Sequence, residues 1–326
     1  MTDILIAHPN FMVRNELMDI INKEMGDKTV KLVGNGSLIF SHVNLENVKV
    51  VVLSVFFDEI SGLDILYLLK EKYDVEVIMV YDGSRHGREE AVSSFSYDAF
   101  DVIGLDMDDE KLVNIIKAAF SKSKKSGGVS NQRNDIDIKK EKDIVLLAGS
   151  TGSSSDIESV LKNLDEEINI PVVICIHMSP GFSSLFADRL NTLLEKEVKY
   201  VIGETKLDNS IYICSGNQDN IFEEQEDEVY IVEKQSEKKD SPSIDRLFRT
   251  CSEIFGENVL SIVFSGMGKD GVIGARFVKS RGGNVIVEDE STSLIFGIGQ
   301  YIIEQDDADY IIDVESIIEL LREIFE

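Results

Sequence analysis

Residues 144–152 read Ile-Val-Leu-Leu-Ala-Gly-Ser-Thr-Gly, in which an apolar, β-rich run passes into a glycine-rich turn that carries Ser150. Two further apolar runs end in the same way, one at His177 and one at a loop that contains Asp270. In an open parallel α/β sheet, ligands bind in the crevice beyond the carboxyl ends of the strands. Serine, histidine and aspartate meeting there would form a hydrolytic triad, so we hypothesise that these strands lie side by side.

The composition is that of a globular chain with two domains. Its 326 residues exceed what one core usually accommodates, and no apolar run approaches the roughly 20 residues of a membrane helix. The N-terminus enters a strand pattern without a basic stretch, so no signal peptide is expected. Three cysteines without metal-ligand spacing indicate reduced thiols. We therefore expect a cytoplasmic protein with no membrane insertion.

The net charge of -27 restricts the class of partner. Phosphate backbones and anionic membrane surfaces would be repelled. Nucleic-acid binding is therefore not expected, and solubility is the simplest role of the charge.

Residues 121–141 are polar, locally basic and poor in apolar periodicity, which predicts a linker between domains at 1–120 and 142–326. Strand and helix patterns alternate on both sides, and this alternation predicts two doubly wound α/β domains with parallel sheets. The acidic stretch 222–240 predicts a solvated β-hairpin. The strands predicted elsewhere are 4–7, 30–33, 50–53, 77–81, 101–103, 144–147, 172–176 and 260–264.

The five strands of the first domain follow the flavodoxin-like plan. At Val-Val-Val-Leu-Ser, 50–54, and Gly-Leu-Asp-Ile-Leu, 62–66, this domain resembles a response-regulator receiver. The spacing between Ser54 and Gly62 matches the spacing between that family's phospho-acceptor aspartate and its glycine. The resemblance implies a receiver fold.

The positions that carry phosphotransfer in receivers hold other residue types here. His8 and Pro9 replace the acidic pair, Ser54 the acceptor aspartate, Tyr81 the switch hydroxyl and Leu105 the lysine. Aspartyl phosphorylation needs carboxylates that hold a divalent cation and attack phosphorus. We therefore expect no phospho-acceptor aspartate. Phosphorylation of Ser54 itself is the alternative, although no metal ligand is predicted beside it.

The second domain resembles the catalytic domain of the chemotaxis protein-glutamate methylesterase (CheB) from about Asp143 to the last helix. A receiver followed by this domain is also that family's architecture. Six ordered segments at family spacing are more specific than any single motif. They are 149–152, 177–182 running into 186–190, 242–248, 266–271, 289–291 and 296–297.

Each predicted catalytic side chain also has a structural interpretation. Ser150 beside a helix N-terminus suits a nucleophile near unpaired N–H groups, but it also suits a helix cap or a phosphate cradle. His177 past a strand end suits a general base or a buried core histidine. Asp270 could fix the imidazole tautomer or belong to a simple turn. The family resemblance favours the triad.

The resemblance assigns further roles. It implies that the Met267 N–H and the Thr151 side chain stabilise an oxyanion. It also implies that Arg189 and Arg246 contribute to substrate recognition, although the preferred interpretation of each is a solvated helix arginine. It implies hydrolysis of γ-glutamyl methyl esters on chemoreceptor cytoplasmic helices, and in some relatives deamidation of receptor glutamine, without cofactor or metal. It also implies the chemotaxis histidine kinase as a partner.

The chain departs from the family around the triad. The family's Gly-Ala-Ser-Thr-Gly-Gly is Ala-Gly-Ser-Thr-Gly-Ser at 148–153, the glutamine before the histidine is Ile176, and Asp219 or Asn220 stands where a further histidine would be. A lost glycine would constrain the turn if that position required positive φ. These changes question the rate and the substrate recognition more than the fold.

Three functions from different classes follow. The first is an active methylesterase with altered regulation. The second is a catalytically impaired pseudoenzyme that binds receptors or signalling proteins, for which the altered receiver argues. The third is a phosphate- or nucleotide-binding protein that uses the Ser150 loop, against which the missing Walker lysine argues.

Overall fold

The computed structural model describes residues 2–46, 48–58, 60–122, 136, 138–139, 141–165, 167–178, 180–236 and 241–326. The chain divides into two compact units, Met1–Gly128 and Val129–Glu326. Most of the linker predicted at 121–141 lies outside the described residues. No helix within the described ranges has both the length and the apolar character needed to cross a membrane.

The first unit alternates strands and helices. Its third strand is Val-Val-Val-Leu-Ser, whose side chains are all buried, as expected of a parallel strand covered by helices on both faces. Ser61 caps the helix that follows by accepting a hydrogen bond from the Leu63 N–H. The elements are β1 Ile4–Ala7, α1 Phe11–Glu24, β2 Val30–Val33, α2 Ile39–Glu46, β3 Val50–Ser54, α3 Gly62–Lys72, β4 Glu76–Tyr81, α4 Arg85–Ser93, β5 Asp101–Gly104 and α5 Asp109–Lys122.

The five strands pair in parallel in the order β2-β1-β3-β4-β5. This is the flavodoxin-like order, so the predicted doubly wound fold of the first unit is confirmed. The strand boundaries differ from the predicted ones by one residue at most.

The second unit is larger and contains two sheets. Its elements are β6 Ile144–Gly149, α6 Ser153–Leu164, β7 Val172–Ile176, α7 Pro180–Leu193, β8 Val198–Tyr200, β9 Glu204–Lys206, β10 Ile211–Ile213, β11 Gln218–Gln225, β12 Glu228–Gln235, α8 Ile244–Phe255, β13 Val259–Val263, α9 Val272–Ser280, β14 Asn284–Glu288, α10 Ile298–Glu304, β15 Tyr310–Ile312 and α11 Val314–Phe325.

The main sheet is parallel throughout, in the order β15-β14-β13-β6-β7-β10-β8. A small antiparallel sheet, β11-β12-β9, contains the predicted hairpin and adds a strand that the sequence did not predict. The core of the unit lies between the main sheet and its helices and includes Leu146, Tyr212, Phe248 and Val263, which are fully buried.

The strand order places one crevice at the centre of the main sheet. β6 lies between β7 and β13, and the chain continues from β7 on one side and from β13 on the other. This reversal is the topological switch point at which open α/β sheets bind ligands. The turns that follow these three strands carry Ser150, His177 and Asp270, so the topology brings the predicted triad to one place.

Candidate active site

Ser150 lies in the turn between β6 and α6, and the turn is braced by Ser265 from the neighbouring strand end. The Ser265 carbonyl accepts a hydrogen bond from the Ser150 N–H at 2.9 Å, and the Ser265 hydroxyl donates to the Thr151 carbonyl at 2.8 Å. Within the turn, Gly152 adopts a φ of +86°, which favours glycine. The backbone of the predicted nucleophile is therefore held from both sides.

Two positions of the turn, Gly149 and Ser153, differ from the family's sequence in a way that keeps the packing of the turn. Gly152 keeps its glycine, while Ala148 is a strand residue and Ser153 is the first residue of α6, so neither lost glycine has a positive φ. A Cβ on Gly149 would lie only 2.4 Å from the Ser153 Cβ. Where the family places alanine at the first of these two positions and glycine at the second, this chain places glycine and then serine. In both sequences only one of the two positions carries a Cβ, because the space between them admits only one.

His177 follows β7 and links the other two side chains. Its Nδ1 is 3.3 Å from the Ser150 Oγ, and its Nε2 is 3.0 Å from the Asp270 Oδ2. The serine hydroxyl can donate to Nδ1 only if Nε2 carries the proton and donates to the aspartate. The two nitrogens are thus used in the reverse sense to the serine-protease triad. Both the imidazole and the carboxylate are 12% exposed.

Asp270 is held at the N-terminus of α8. Its Oδ1 accepts a hydrogen bond from the Ser243 hydroxyl at 3.0 Å, and its Oδ2 accepts one from the Ile244 N–H at 2.7 Å. Burial opposes ionisation, but the hydrogen bond and charge of His177 and the backbone N–H groups outweigh it, so the pKa of Asp270 lies below its usual value. The carboxylate is therefore available to orient an imidazole and to stabilise its charged form.

Asp245 is a residue that the sequence did not single out. It lies in the first turn of α8 and accepts hydrogen bonds from the Gly271 and Gly274 N–H groups, each at 2.8 Å, at the start of α9. Asp270, just before α9, meanwhile accepts from the start of α8, so the two helices cap each other. Burial, together with the nearby Asp270 carboxylate, raises the pKa of Asp245. The exchange of caps fixes the loop that carries Asp270.

The remaining groups of the predicted oxyanion site lie beside the serine. A Cβ on Gly266 would lie 2.8 Å from the Ser150 Cβ, so the backbone of the 266–271 loop is packed against the nucleophile. No described residue accepts a hydrogen bond from the N–H of Met267 or of Thr151. These two donors could therefore serve a developing oxyanion. The roles predicted for the Met267 N–H and for the Thr151 side chain remain proposals, and the Thr151 N–H is a further candidate.

The two candidate arginines are both in ion pairs. Arg189 on α7 makes a two-pronged pair with Glu158 on α6, at 2.7 Å and 2.9 Å, and both side chains are largely buried. Arg246 pairs with Asp219 at 2.6 Å. The interpretation as a solvated helix arginine is therefore wrong for Arg189, whose side chain is 14% exposed, whereas the Arg246 side chain is 42% exposed. The substrate role predicted for Arg189 stays a prediction.

Asp219, one of the two residues that could stand where the family has histidine, is connected to Asp270 through Ser243. It is 1% exposed, and its Oδ1 accepts a hydrogen bond from the Ser243 N–H at 3.0 Å, while the Ser243 hydroxyl donates to Asp270. The neighbouring Asn220 is fully buried and hydrogen-bonds within its own turn to Ser215. Asp219 therefore supports the Asp270 carboxylate of the candidate site.

Glu288, at the end of β14, supports the Ser150 turn through Ser265. Its Oε2 accepts a hydrogen bond from the N–H of Ser265, the residue that braces the Ser150 turn, at 2.9 Å. Burial, with the charge of Asp156 second, raises the pKa of Glu288 well above its usual value. No local sequence pattern distinguishes this carboxyl from an exposed one.

In the first unit, the residues aligned with receiver phosphorylation positions form other contacts. Ser54 is 3% exposed and its Oγ accepts a hydrogen bond from the Phe56 N–H at 3.2 Å. His8 accepts one from the Asn10 N–H at its Nδ1, at 3.0 Å, and burial lowers its pKa. Among the described residues of the chain, no cluster of histidine, cysteine and carboxylate side chains could hold a metal ion.

Comparison with known proteins places these features in a family. A family model described as CheB methylesterase matches residues 145–321. The protein-glutamate methylesterase/protein-glutamine glutaminase of Archaeoglobus fulgidus is 28% identical, over 98% of this chain and 96% of its own. The corresponding Bacillus subtilis protein is 26% identical over 91% of each chain. The crystal structure of the Thermotoga maritima CheB methylesterase catalytic domain is 32% identical, with a TM-score of 0.54, over 56% of this chain and 98% of that one.

Proposed function

The chain belongs to the CheB methylesterase family, and from that premise we propose that it hydrolyses γ-glutamyl methyl esters of chemoreceptors with Ser150 as the nucleophile. One observation supports this most strongly. The Ser150 Oγ, both nitrogens of His177 and the Asp270 carboxylate form a continuous chain of contacts of 3.3 Å and 3.0 Å at the sheet's switch point. Hydrogen bonds of this length between nucleophile and base are common before substrate binds.

In the first half of the reaction, the Ser150 Oγ attacks the ester carbonyl carbon while its proton passes to the His177 Nδ1. The carbonyl oxygen becomes an oxyanion beside the N–H groups of Met267 and Thr151, which have no other acceptor among the described residues. Asp270 stabilises the imidazolium through Nε2. When the C–O bond to the methoxy group breaks, the Nδ1 proton goes to that group and methanol leaves.

In the second half, water takes the place of the serine hydroxyl. His177 removes a proton from the water as it attacks the acyl-enzyme carbonyl, and returns that proton to the Ser150 Oγ as the acyl bond breaks. The products are a glutamate side chain and free enzyme. A glutamine side chain would follow the same steps with ammonia as the leaving group, and the similar Archaeoglobus fulgidus protein is a protein-glutamine glutaminase as well as a methylesterase by name.

Covalent labelling tests the assignment of the nucleophile. We expect a fluorophosphonate to add to the full chain at one position, and peptide mass spectrometry to locate the adduct on Ser150. His177→Ala should slow the labelling, because the base that activates the hydroxyl is gone. Labelling elsewhere, or at an equal rate in the variant, would contradict the assignment.

A non-catalytic binding role is the competing proposal, and the altered first unit favours it. The connected triad and the two available N–H donors favour the esterase. Binding of the full chain to methylated receptor without release of methanol would establish the binding role instead.

We also infer that the first unit is not phosphorylated on an aspartate. β1 ends at Ala7 and is followed by His8 and Pro9, and β3 ends at Ser54, so neither strand end supplies the carboxylates that bind Mg²⁺ and attack phosphorus. The buried Ser54 hydroxyl is also engaged with the Phe56 N–H. Regulation by aspartyl phosphorylation would then be lost, which leaves a constitutive enzyme or one controlled by another signal. Mass spectrometry after incubation with acetyl phosphate and Mg²⁺ should show no added phosphoryl group.

A further inference from the structure

One cation belongs to the loop that carries Met267 and Asp270. Lys269 precedes Asp270 in the chain, and its side chain is exposed. Its Nζ lies 4.5 Å from the centre of the Tyr301 ring on α10. This distance is well within the range of a favourable cation–π contact, so the ring holds the ammonium group at a defined place while leaving it in solvent.

The helix that carries Tyr301 is anchored to the loop that carries Lys269 and Asp270. The Ile298 N–H, at the start of α10, donates a hydrogen bond to the Gly266 carbonyl at 2.9 Å, and a Cβ on Gly297 would lie 2.5 Å from that oxygen. α10 is therefore anchored to the segment that carries the Met267 N–H. Tyr301 lies one turn further along α10, and its ring contacts the Lys269 ammonium group. Lys269 follows Met267 by two residues, so the contact joins α10 to the loop that carries the oxyanion donor.

The two candidate arginines of the site are both in ion pairs. Arg189 pairs with Glu158, and Arg246 pairs with Asp219. Within the part of the chain that the structure describes, no carboxylate lies within salt-bridge distance of the Lys269 Nζ. In a chain of net charge -27, this ammonium group is a local attractive charge against a general repulsion of anions.

We propose that Lys269, positioned by Tyr301, binds a carboxylate of the substrate polypeptide next to the ester that is cleaved. This inference rests on the proposed function. A protein whose esters are made on glutamates presents free carboxylates wherever those glutamates are unmodified, and the reaction itself adds one more at each turnover. The cation therefore selects ester groups that lie beside acidic residues. Without it, a chain of this net charge would repel those acidic residues.

The test compares two helical peptides, each of which carries a single γ-glutamyl methyl ester. The acidic peptide has glutamate one helical turn before and after the ester, and the neutral peptide has alanine at both positions. Methanol release by the full chain gives kcat/KM for each, at low ionic strength. We expect the wild type to prefer the acidic peptide. In Lys269→Met this preference should fall about two- to fivefold, the size of an exposed ion pair, through KM, and Lys269→Arg should retain most of it. Tyr301→Leu should lower the preference more than Tyr301→Phe does.

Lys162→Met is the matched control. Lys162 is also an exposed lysine with no carboxylate in salt-bridge distance among the described residues, but it lies in the last turn of α6, at the end of that helix away from Ser150. Its loss changes the net charge equally and should leave the preference as in the wild type. An equal fall in both variants would overturn the proposal, because it would show an effect of net charge alone.

Hydrolysis of p-nitrophenyl acetate separates this proposal from the proposed function. Wild-type enzyme that cleaves this neutral ester and both peptides, but shows no change of preference in Lys269→Met, overturns the role of Lys269 alone. Wild-type enzyme that cleaves none of the three esters overturns the esterase itself. A preference that disappears in 0.5 M salt in the wild type and is absent at all salt concentrations in Lys269→Met supports the carboxylate site.

Discussion

The exchange of Gly149 and Ser153 relative to the family's turn predicts a measurable coupling. In Gly149→Ala the new methyl group would lie 2.4 Å from the Ser153 Cβ and 2.6 Å from its Oγ, whereas carbon atoms in good contact are about 3.5–4.0 Å apart. Ser153 is fully buried and its Oγ donates to the Ser150 carbonyl at 2.7 Å, so it cannot swing away. The turn must move by about 1 Å, at a cost of about 1–3 kcal/mol for an overpacked site.

That movement displaces the nucleophile, because Ser150 is one of the three residues between the two colliding groups. A misplacement of about 1 Å at a catalytic group can lower the rate about 100-fold. Ser153→Gly alone removes one hydrogen bond to the Ser150 carbonyl, worth about 1 kcal/mol, without a collision. The double variant Gly149→Ala, Ser153→Gly removes the collision and should recover kcat to within about tenfold of the wild type.

The assay is a double-mutant cycle on the kcat for p-nitrophenyl acetate, with calorimetry of the full chain as a measure of stability. We expect the double variant to be more active than Gly149→Ala and more stable than the sum of the single variants, by a coupling of about 1–3 kcal/mol. Strict additivity, with the double variant slower than Gly149→Ala, would refute the idea that the two positions share one space.

Three further outcomes follow from the buried carboxyl groups. Asp270→Asn should lower kcat about 10⁴-fold, the effect seen when a triad aspartate in serine proteases can no longer select the tautomer; ester hydrolysis measures it, and a loss under tenfold would contradict the role. Asp245→Ala removes the acceptor for the Gly271 and Gly274 N–H groups and should lower kcat about 100-fold, whereas Asp245→Asn keeps an acceptor and should stay within about tenfold. The pKa of Glu288 is raised well above 4.5, so the folded chain stays protonated where the unfolded chain ionises, and stability is lost as pH rises above 4.5. Calorimetry should therefore find Glu288→Gln more stable than the wild type at pH 8 and little changed at pH 4; equal effects at both pH values would exclude an ionisation.

The sequence predicted the five strands of the first unit and β6, β7 and β13 of the second, because most of these buried parallel strands are continuous apolar runs. The parallel strands β8, β10, β14 and β15 of the main sheet were not predicted. Val172–Ile176 and Ile4–Ala7 have the predicted boundaries, while β6 continues two residues beyond the predicted Leu147 to Gly149. β6 ends later because Ala148 and Gly149 pair with Cys175 and Ile176 across the sheet, a contact that no local pattern shows. β9 was missed because three exposed or half-buried residues form a strand only through pairing with β12.

The catalytic side chains could be predicted because each follows a recognisable strand, but their meeting depends on strand order. β6 lies between β7 and β13, and β13 is distant in the chain. The supporting groups are harder still. Asp245 looks like an ordinary acidic residue in the first turn of a helix, and its acceptor role depends on the packing of α8 on α9. Arg189 looks exposed in the sequence because its partner Glu158 lies on another helix.

The central claim is that Ser150, His177 and Asp270 hydrolyse methyl esters on a chemoreceptor. Its most direct test is the release of methanol from methylated chemoreceptor by the full chain and by Ser150→Ala, with circular dichroism to show that the variant is folded. We predict methanol release by the wild type and none above background by the folded variant. No release by the wild type, or equal release by both, would contradict the claim.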